Sequence, residues 1–390
     1  MQETWLRNEE ELFTERHLEE INAIFGLEQD VIEQLRAASK LVRAEDTLWK
    51  FLLECQLKMY GLRLDPAEFV EVFRELPASV QAKQALLEES LGTGSGLYAV
   101  LLVVLLLDWT KAYYRSLELP QELLLHTMDD LRIWMKHYEK SHGAAGLDNL
   151  PWLLYHIGGR LFRLGRLQFV MEKFRHPVKV LRNKQDKEDL IVLSEAGVEF
   201  RSDGLVNGTN RKEQSEGSWT AAYKRTDKAY IGHVIRPDGT ANPSLIEAPG
   251  SEYELALERD NLVLDVHIPE GSRMSRDACI ASMKEATAFY RHYFPNRKPF
   301  AFTCSSWLLD AQFEKILPAT SNIVNFQRLF HLFPLLSDEG ETYSRVFGSA
   351  KLDRKTASRD TGLRRAILDY ADDGGMLHGA GGFRLLDEPF

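Results

Sequence analysis

Hydrophobic and polar positions keep two different rhythms in this chain. In residues 262–268, apolar Leu262, Leu264, Val266 and Ile268 alternate with other residues, the period of a β-strand, and Pro269, Glu270 and Gly271 close the run as a turn. Ser275 then stands as an N-cap with Asp277 in the first turn, and Cys279, Met283, Ala286, Tyr290 and Tyr293 form the apolar stripe of a helix. Pro295 and Asn296 stop it. Phe300, Phe302 and Cys304 alternate in a second strand, Asp310 caps a short helix that ends at Pro318, and residues 323–327 read as a third strand. A strand-helix-strand unit of this length predicts parallel neighbours, and ligands of such sheets sit beyond the carboxyl ends of the strands. Those ends carry His267 and the run Cys304, Ser305, Ser306, Trp307.

Upstream, residues 4–156 show helical patterns and no strand, punctuated by Gly26, Gly61, Pro66, Pro77 and the glycines between 92 and 96; the spacing predicts about six or seven helices. Residues 97–107 are apolar throughout, 11 in a row, which is short of the roughly 20 a membrane span requires and reads as a buried core helix. Residues 150–163, anchored by Trp152, Tyr155 and Phe162, read as a hinge helix. Beyond them the rhythm shortens to that of strands: 166–174, 189–200, a hairpin of 218–223 with 229–236, and 253–257, separated by loops at 202–217 and 237–250. After residue 330 the pattern predicts a strand at 343–347, a helix at 361–370 and a last strand at 379–386. The expected fold class is a helical N-terminal domain, residues 1–150, followed by a mixed-sheet α/β domain, residues 151–390.

Composition fits that division. With 390 residues, 44% hydrophobic and 27% charged, the chain has the make-up of a soluble protein of two domains. The net charge of −10 is concentrated: residues 1–150 hold 15 Lys and Arg against 26 Asp and Glu, and the remainder holds 33 against 32. An acidic front half argues against nucleic acid as a partner. One block is basic, from Arg160 to Lys184, with Glu172 its lone acid; it reads first as a solvated face, with a polyanionic small ligand as the alternative. The N-terminus has neither a secretory apolar stretch nor an Arg-rich transit pattern, so the cytoplasm is the expected location. Cys55, Cys279 and Cys304 lie far apart without CxxC spacing, and His126, His137 and His142 are scattered, so no disulfide framework and no metal site is expected.

The candidate chemistry gathers at the predicted strand ends. A histidine beside a thiol makes a thiolate nucleophile, and beside an amine it acts as a general base; His267 and Cys304 face the same end of a parallel pair. The plainer alternative is a buried Cys304 and a hydrogen-bonded His267. Gly271, Ser272, Arg273, Met274 and Ser275 meet a helix N-terminus, where free N–H groups and the dipole favour anions. Trp307 and Asn325 are candidates to line a pocket, with core packing the plainer role for Trp307.

Four phrases carry a resemblance: WLLYHIGGRLFRLGRLQF (residues 152–169), LDVHIPEGSRMSRDAC (264–279), HYFPNRKPFAFTCSSWLLD (292–310) and SNIVNFQRLF (321–330). With the element order, they resemble a bacterial acyltransferase-domain family that joins an N-acyltransferase N-terminal helical domain to a GNAT-like C-terminal domain. The resemblance implies direct transfer of an acyl group from acyl-CoA to a small-molecule amine. It implies that the backbone N–H of Ile268 holds the thioester carbonyl and that Gly271, Ser272, Arg273 and Ser275 cradle the pyrophosphate. It also implies that His267 deprotonates the amine and that Cys304 or Ser305 protonates the departing thiolate. The helical domain would then cover the mouth of the site or mediate a homodimer. Two features depart from the GNAT pattern: the Q/R-x-x-G-x-G/A signature is absent, with Pro269 where an N–H donor is wanted, and residues 310–317 hold no tyrosine to act as acid. They keep two other readings open, a non-catalytic small-molecule binding or regulatory protein and thiol chemistry at Cys304.

Overall fold

In the computed structural model, which describes residues 7–390, the chain falls into two units, Met1–Leu164 and Gly165–Phe390. Residues 4–6 of the helical reading lie outside the described residues. The expected boundary at 150/151 falls one residue into the last helix of the first unit, and the structural division comes later, at 164/165. Nine α-helices make up the described part of that unit: α1 (Glu15–Phe25), α2 (Gln29–Ala44), α3 (Asp46–Tyr60), α4 (Pro66–Phe73), α5 (Leu76–Gln81), α6 (Gln84–Leu91), α7 (Leu97–Ser116), α8 (Gln121–His142) and α9 (Leu150–Ile157). Their ends follow from local chemistry. Thr14 accepts the His17 N–H to start α1, Gly26 closes it at φ +60°, and Asp65 caps α4 with Pro66 as its first residue. Helix α7 is buried on nearly every face, enclosed in part by α2, α3 and α9, so its unbroken apolar run serves as a core and not as one stripe of a surface helix. It is also long and apolar enough to cross a membrane by length and composition. The expected helix at 150–163 is shorter than predicted: α9 stops at Ile157 because Gly158 and Gly159, the latter at φ +64°, turn the chain into strand β1 (Leu161–Leu164).

His17 is fully buried in this unit and accepts the Phe13 N–H on Nδ1 at 3.0 Å. Burial, with the nearby Arg7 charge, pushes its pKa down to about 4. The unfolded chain therefore binds this proton more readily than the folded one. The stability His17 permits is complete above about pH 6.5 and falls by up to about 3 kcal/mol as the pH drops towards 4. Denaturant midpoints at neutral and acid pH should diverge in the natural chain. They should converge in His17→Asn, which keeps an acceptor for Phe13 but cannot titrate; equal pH dependence in both would contradict the assignment.

The second unit is built on a sheet in the order β2 (Leu167–Lys173), β11 (Leu262–His267), β12 (Ala301–Ser306), β14 (Ala380–Leu385), β13 (His331–Pro334). Only β11 and β12 run parallel; the other neighbours are antiparallel. Between β2 and β11 the chain makes a second, antiparallel sheet from β3 (Val178–Asn183), β4 (Leu190–Ser194), β7 (Tyr223–Arg225), β8 (Ala229–Ile235), β9 (Ala241–Pro249) and β10 (Tyr253–Leu257), with β5 (Glu199–Phe200) and β6 (Trp219–Thr220) as a separate pair. Val263, Ala301, Phe333 and Phe383 of the first sheet and Val178, Val180, Val192 and Leu257 of the second form one core. The opposite face of the first sheet is served by α10 (Arg276–Tyr293), whose Ser282 hydroxyl accepts the Leu167 N–H at 3.0 Å and whose Tyr290 hydroxyl donates to the Phe169 carbonyl at 3.1 Å.

Four expectations are corrected here. Residues 323–327 belong to a helix, α12 (Asn322–Gln327), because Ser321 caps it by accepting the Ile323 N–H; β13 takes the strand position instead. Residues 343–347 lie in helix α13 (Gly340–Phe347), and the predicted loop at 237–250 is mostly β9, whose prolines are tolerated in a strand bonded along β8. The predicted hairpin is shorter than expected, because Trp219 and Thr220 pair with β5 and its first arm meets β8 only through β7. Asp310 does accept an N–H, from Gln312 at 3.0 Å, just before the short helix α11 (Phe313–Ile316). Helix α14 (Gly362–Asp372) and strand β14 stand where the pattern put them.

Candidate active site

The parallel ladder between β11 and β12 is short. It joins Val263 to Ala301, Leu264 to Phe302 and Asp265 to Thr303, then stops, although the strands run on to His267 and Ser306. Their outer neighbours do not stop: β2 follows β11 as far as His267 opposite Gln168, and β14 follows β12 as far as Ser306 opposite Ala380. The two central strands therefore part at their carboxyl ends while each stays anchored from outside.

Strand alternation decides what faces the opening. Asp265 and His267 share one face of β11, and Thr303 and Ser305 the matching face of β12. His267 Nε2 lies 3.0 Å from Asp265 Oδ2, an ion-pair contact, and the Thr303 hydroxyl donates to Asp265 Oδ1 at 2.9 Å. The Asp265 carboxylate thus lies against the imidazole of His267 at the end of the strand. The Ser305 hydroxyl lies 3.2 Å from Nε2 of His176, in the connection between β2 and β3. His176 is wedged between the rings of Phe174 and Phe333, 5.3 and 5.0 Å away. Burial lowers its pKa more than the opposing pull of Asp265 raises it, so it is neutral near neutral pH.

Sequence reasoning found His267 and Ser305 but missed Asp265, Thr303 and His176. The spacing of Asp265 and His267, two apart on one strand, is the signal that was available for the first. Cys304 is one residue out of phase with Ser305. It lies on the other face, 1% exposed, and burial pushes its thiol well above the usual range, so the activated-thiol reading fails. Trp307 meets Phe313 edge-on, ring centroids 5.8 Å apart, in a cluster with Tyr343, Ile367 and Leu377, a packing role, and Asn325 sits on helix α12, not at a strand end.

The connection after β11 is held in place. Arg166 donates to the Pro269 carbonyl at 2.8 Å, Gly271 adopts φ +139°, and Ser275 caps α10 by accepting the Ala278 N–H at 3.3 Å. Ser272, Arg273 and Arg276 are exposed around that helix N-terminus. The basic block upstream is largely engaged: Lys179 pairs with Glu258 at 3.1 Å and Arg182 with Asp387 at 2.7 Å, and both cations are mostly buried in these pairs, not solvated.

A mixed sheet whose central parallel strands part over a loop and helix N-terminus defines a GNAT-like fold. The sequence matches an N-acyltransferase N-terminal domain over residues 16–159 and a GNAT-like C-terminal domain over residues 161–384, and the chain belongs to the family that joins the two. An acyltransferase solved in complex with decanoyl-CoA and teicoplanin is 16% identical, with a TM-score of 0.51 over 95% of this chain and 99% of that one. A mutant acyltransferase in complex with octanoyl-CoA gives the same identity, score and coverage. At this identity the likeness is one of fold. No curated protein matches the chain.

Proposed function

We propose that this protein transfers an acyl group directly from acyl-CoA to a small-molecule amine. The observation that carries the reading is the parting of β11 and β12 beside the Asp265–His267 pair. His267 accepts a proton of the amine as its nitrogen bonds to the thioester carbonyl carbon and the carbon–sulfur bond breaks. The Ser305 hydroxyl, beside His176, donates a hydrogen bond to the departing thiolate, which takes its proton from the solvent, a part that Cys304 is too buried to play. In this reading the backbone N–H of Ile268, beyond the end of the parallel ladder, holds the carbonyl oxygen. The residues present suit a pyrophosphate in kind: Gly271, Ser272, Arg273 and Ser275 lead into an 18-residue helix whose N-terminus carries exposed cations. The complexes of the structural neighbours with decanoyl-CoA and octanoyl-CoA support this choice of donor.

Titration of the full chain with CoA and acetyl-CoA tests the reading. We expect saturable binding, weakened by about tenfold or more in the Gly271→Glu, Arg273→Glu double variant, which sets two negative charges against the phosphates. No binding by the natural chain would overturn it. The missing glycine signature and Pro269 favour one other reading, a non-catalytic binding protein on the same fold, which predicts binding without turnover of any amine.

A further inference from the structure

Three hydroxyls and one thiol stand at the parted end of β12, and their partners tell them apart. Thr303 donates to Asp265 at 2.9 Å, Ser306 accepts the Leu308 N–H at 3.2 Å as a helix cap, and Cys304 is 1% exposed. Of the four, Ser305 is the exposed one, and its Oγ lies 3.2 Å from His176 Nε2. A nucleophile within hydrogen-bond reach of a base that other groups orient is the arrangement of covalent acyl transfer. Here the orienting groups are the buried rings of Phe174 and Phe333, on which the imidazole rests. With its proton on Nδ1, that imidazole accepts the Ser305 hydroxyl on Nε2. Burial keeps it neutral and so able to take a proton, while the opposing charge of Asp265 favours the imidazolium that results.

We infer that, when no amine occupies the site, Ser305 takes the acyl group itself and the protein hydrolyses acyl-CoA to CoA and a carboxylic acid through an acyl-serine. In the first half, Ser305 Oγ bonds to the thioester carbonyl carbon as its proton passes to His176 Nε2. The carbon–sulfur bond breaks, and the thiolate leaves with the proton of the imidazolium. In the second half, a water molecule gives a proton to Nε2 as its oxygen bonds to the acyl carbon. The ester carbon–oxygen bond breaks, and Ser305 recovers its proton from the imidazolium. This activity rests on the acyl-CoA reading above and adds a covalent branch to it.

Incubation of the full chain with acetyl-CoA alone, acid-quenched at times from milliseconds to minutes, tests the inference. We expect CoA release in excess of the protein and a chain heavier by one acetyl group, which peptide mass mapping places on Ser305. The three cysteines are buried and do not compete for the label. Ser305→Ala, a truncation at an exposed position that leaves packing intact, should lose the label and slow CoA release by about 100-fold or more. His176→Asn should slow it by a similar factor, the scale of general-base catalysis. Binding of acetyl-CoA with no acetyl group on Ser305, or CoA release unchanged in Ser305→Ala, would overturn the acyl-serine and leave direct transfer standing. No binding of acetyl-CoA by the natural chain would overturn both.

Discussion

Alanine in place of His267 is expected to lower kcat for acyl transfer by about 100- to 10,000-fold while leaving CoA binding within about twofold, because general-base catalysis contributes on that scale. The side chain is about one third exposed, at the mouth of the parted strands, so its loss should not disturb the core. Asp265→Asn sharpens the test. Asp265 accepts the Thr303 hydroxyl and sets its charge 3.0 Å from His267 Nε2, and an amide carries no charge with which to hold the imidazole. We expect kcat to fall by at least about tenfold with KM little changed, the pattern of a residue that orients the base. Full activity in His267→Ala would transfer the role of base to His176, the other imidazole on that face.

Gly381→Val is expected to cost about 2–3 kcal/mol of stability and to reduce activity together with it. Gly381 stands opposite both Ser305 on β12 and Phe333 on β13. A Cβ at this position would overlap the Phe333 ring. Phe333 is fully buried and also flanks His176, so pushing the ring aside moves the imidazole beside Ser305. Denaturation of Gly381→Val, Phe333→Ala and the double variant would show the coupling: the double change should be less harmful than the sum of the single ones. Strict additivity would mean that ring and glycine do not share this space.

What could be read from the sequence followed the strength of each local pattern. The β11–α10–β12 unit was legible because alternation, a Ser275 cap and an apolar stripe, of which Cys279, Met283, Ala286 and Tyr290 are buried, all agree. Residues 323–327 were misread because a short apolar run fits either period, and a single cap at Ser321 decides for the helix. At the site, His267 was visible as the end of a strand. His176 was not, since it lies in a connection with no periodicity and reaches Ser305 only through tertiary packing on Phe174 and Phe333. Cys304 was placed at the correct end of the sheet but credited with the wrong face, although its alternation with Ser305 already separated the two.

Helix α7 has a consequence for how the chain is made. Among the helices packed on it, α2 and α3 precede it in sequence, but α9 ends at Ile157, 41 residues after α7 is complete at Ser116. At a synthesis rate of about 5–20 residues per second, a greasy 20-residue segment waits roughly 2–8 s on the ribosome before its last cover exists. During that interval it offers chaperones and other nascent chains the surface the finished protein hides. Slow translation through residues 117–157 should therefore lower soluble yield more than the same slowing placed after residue 165.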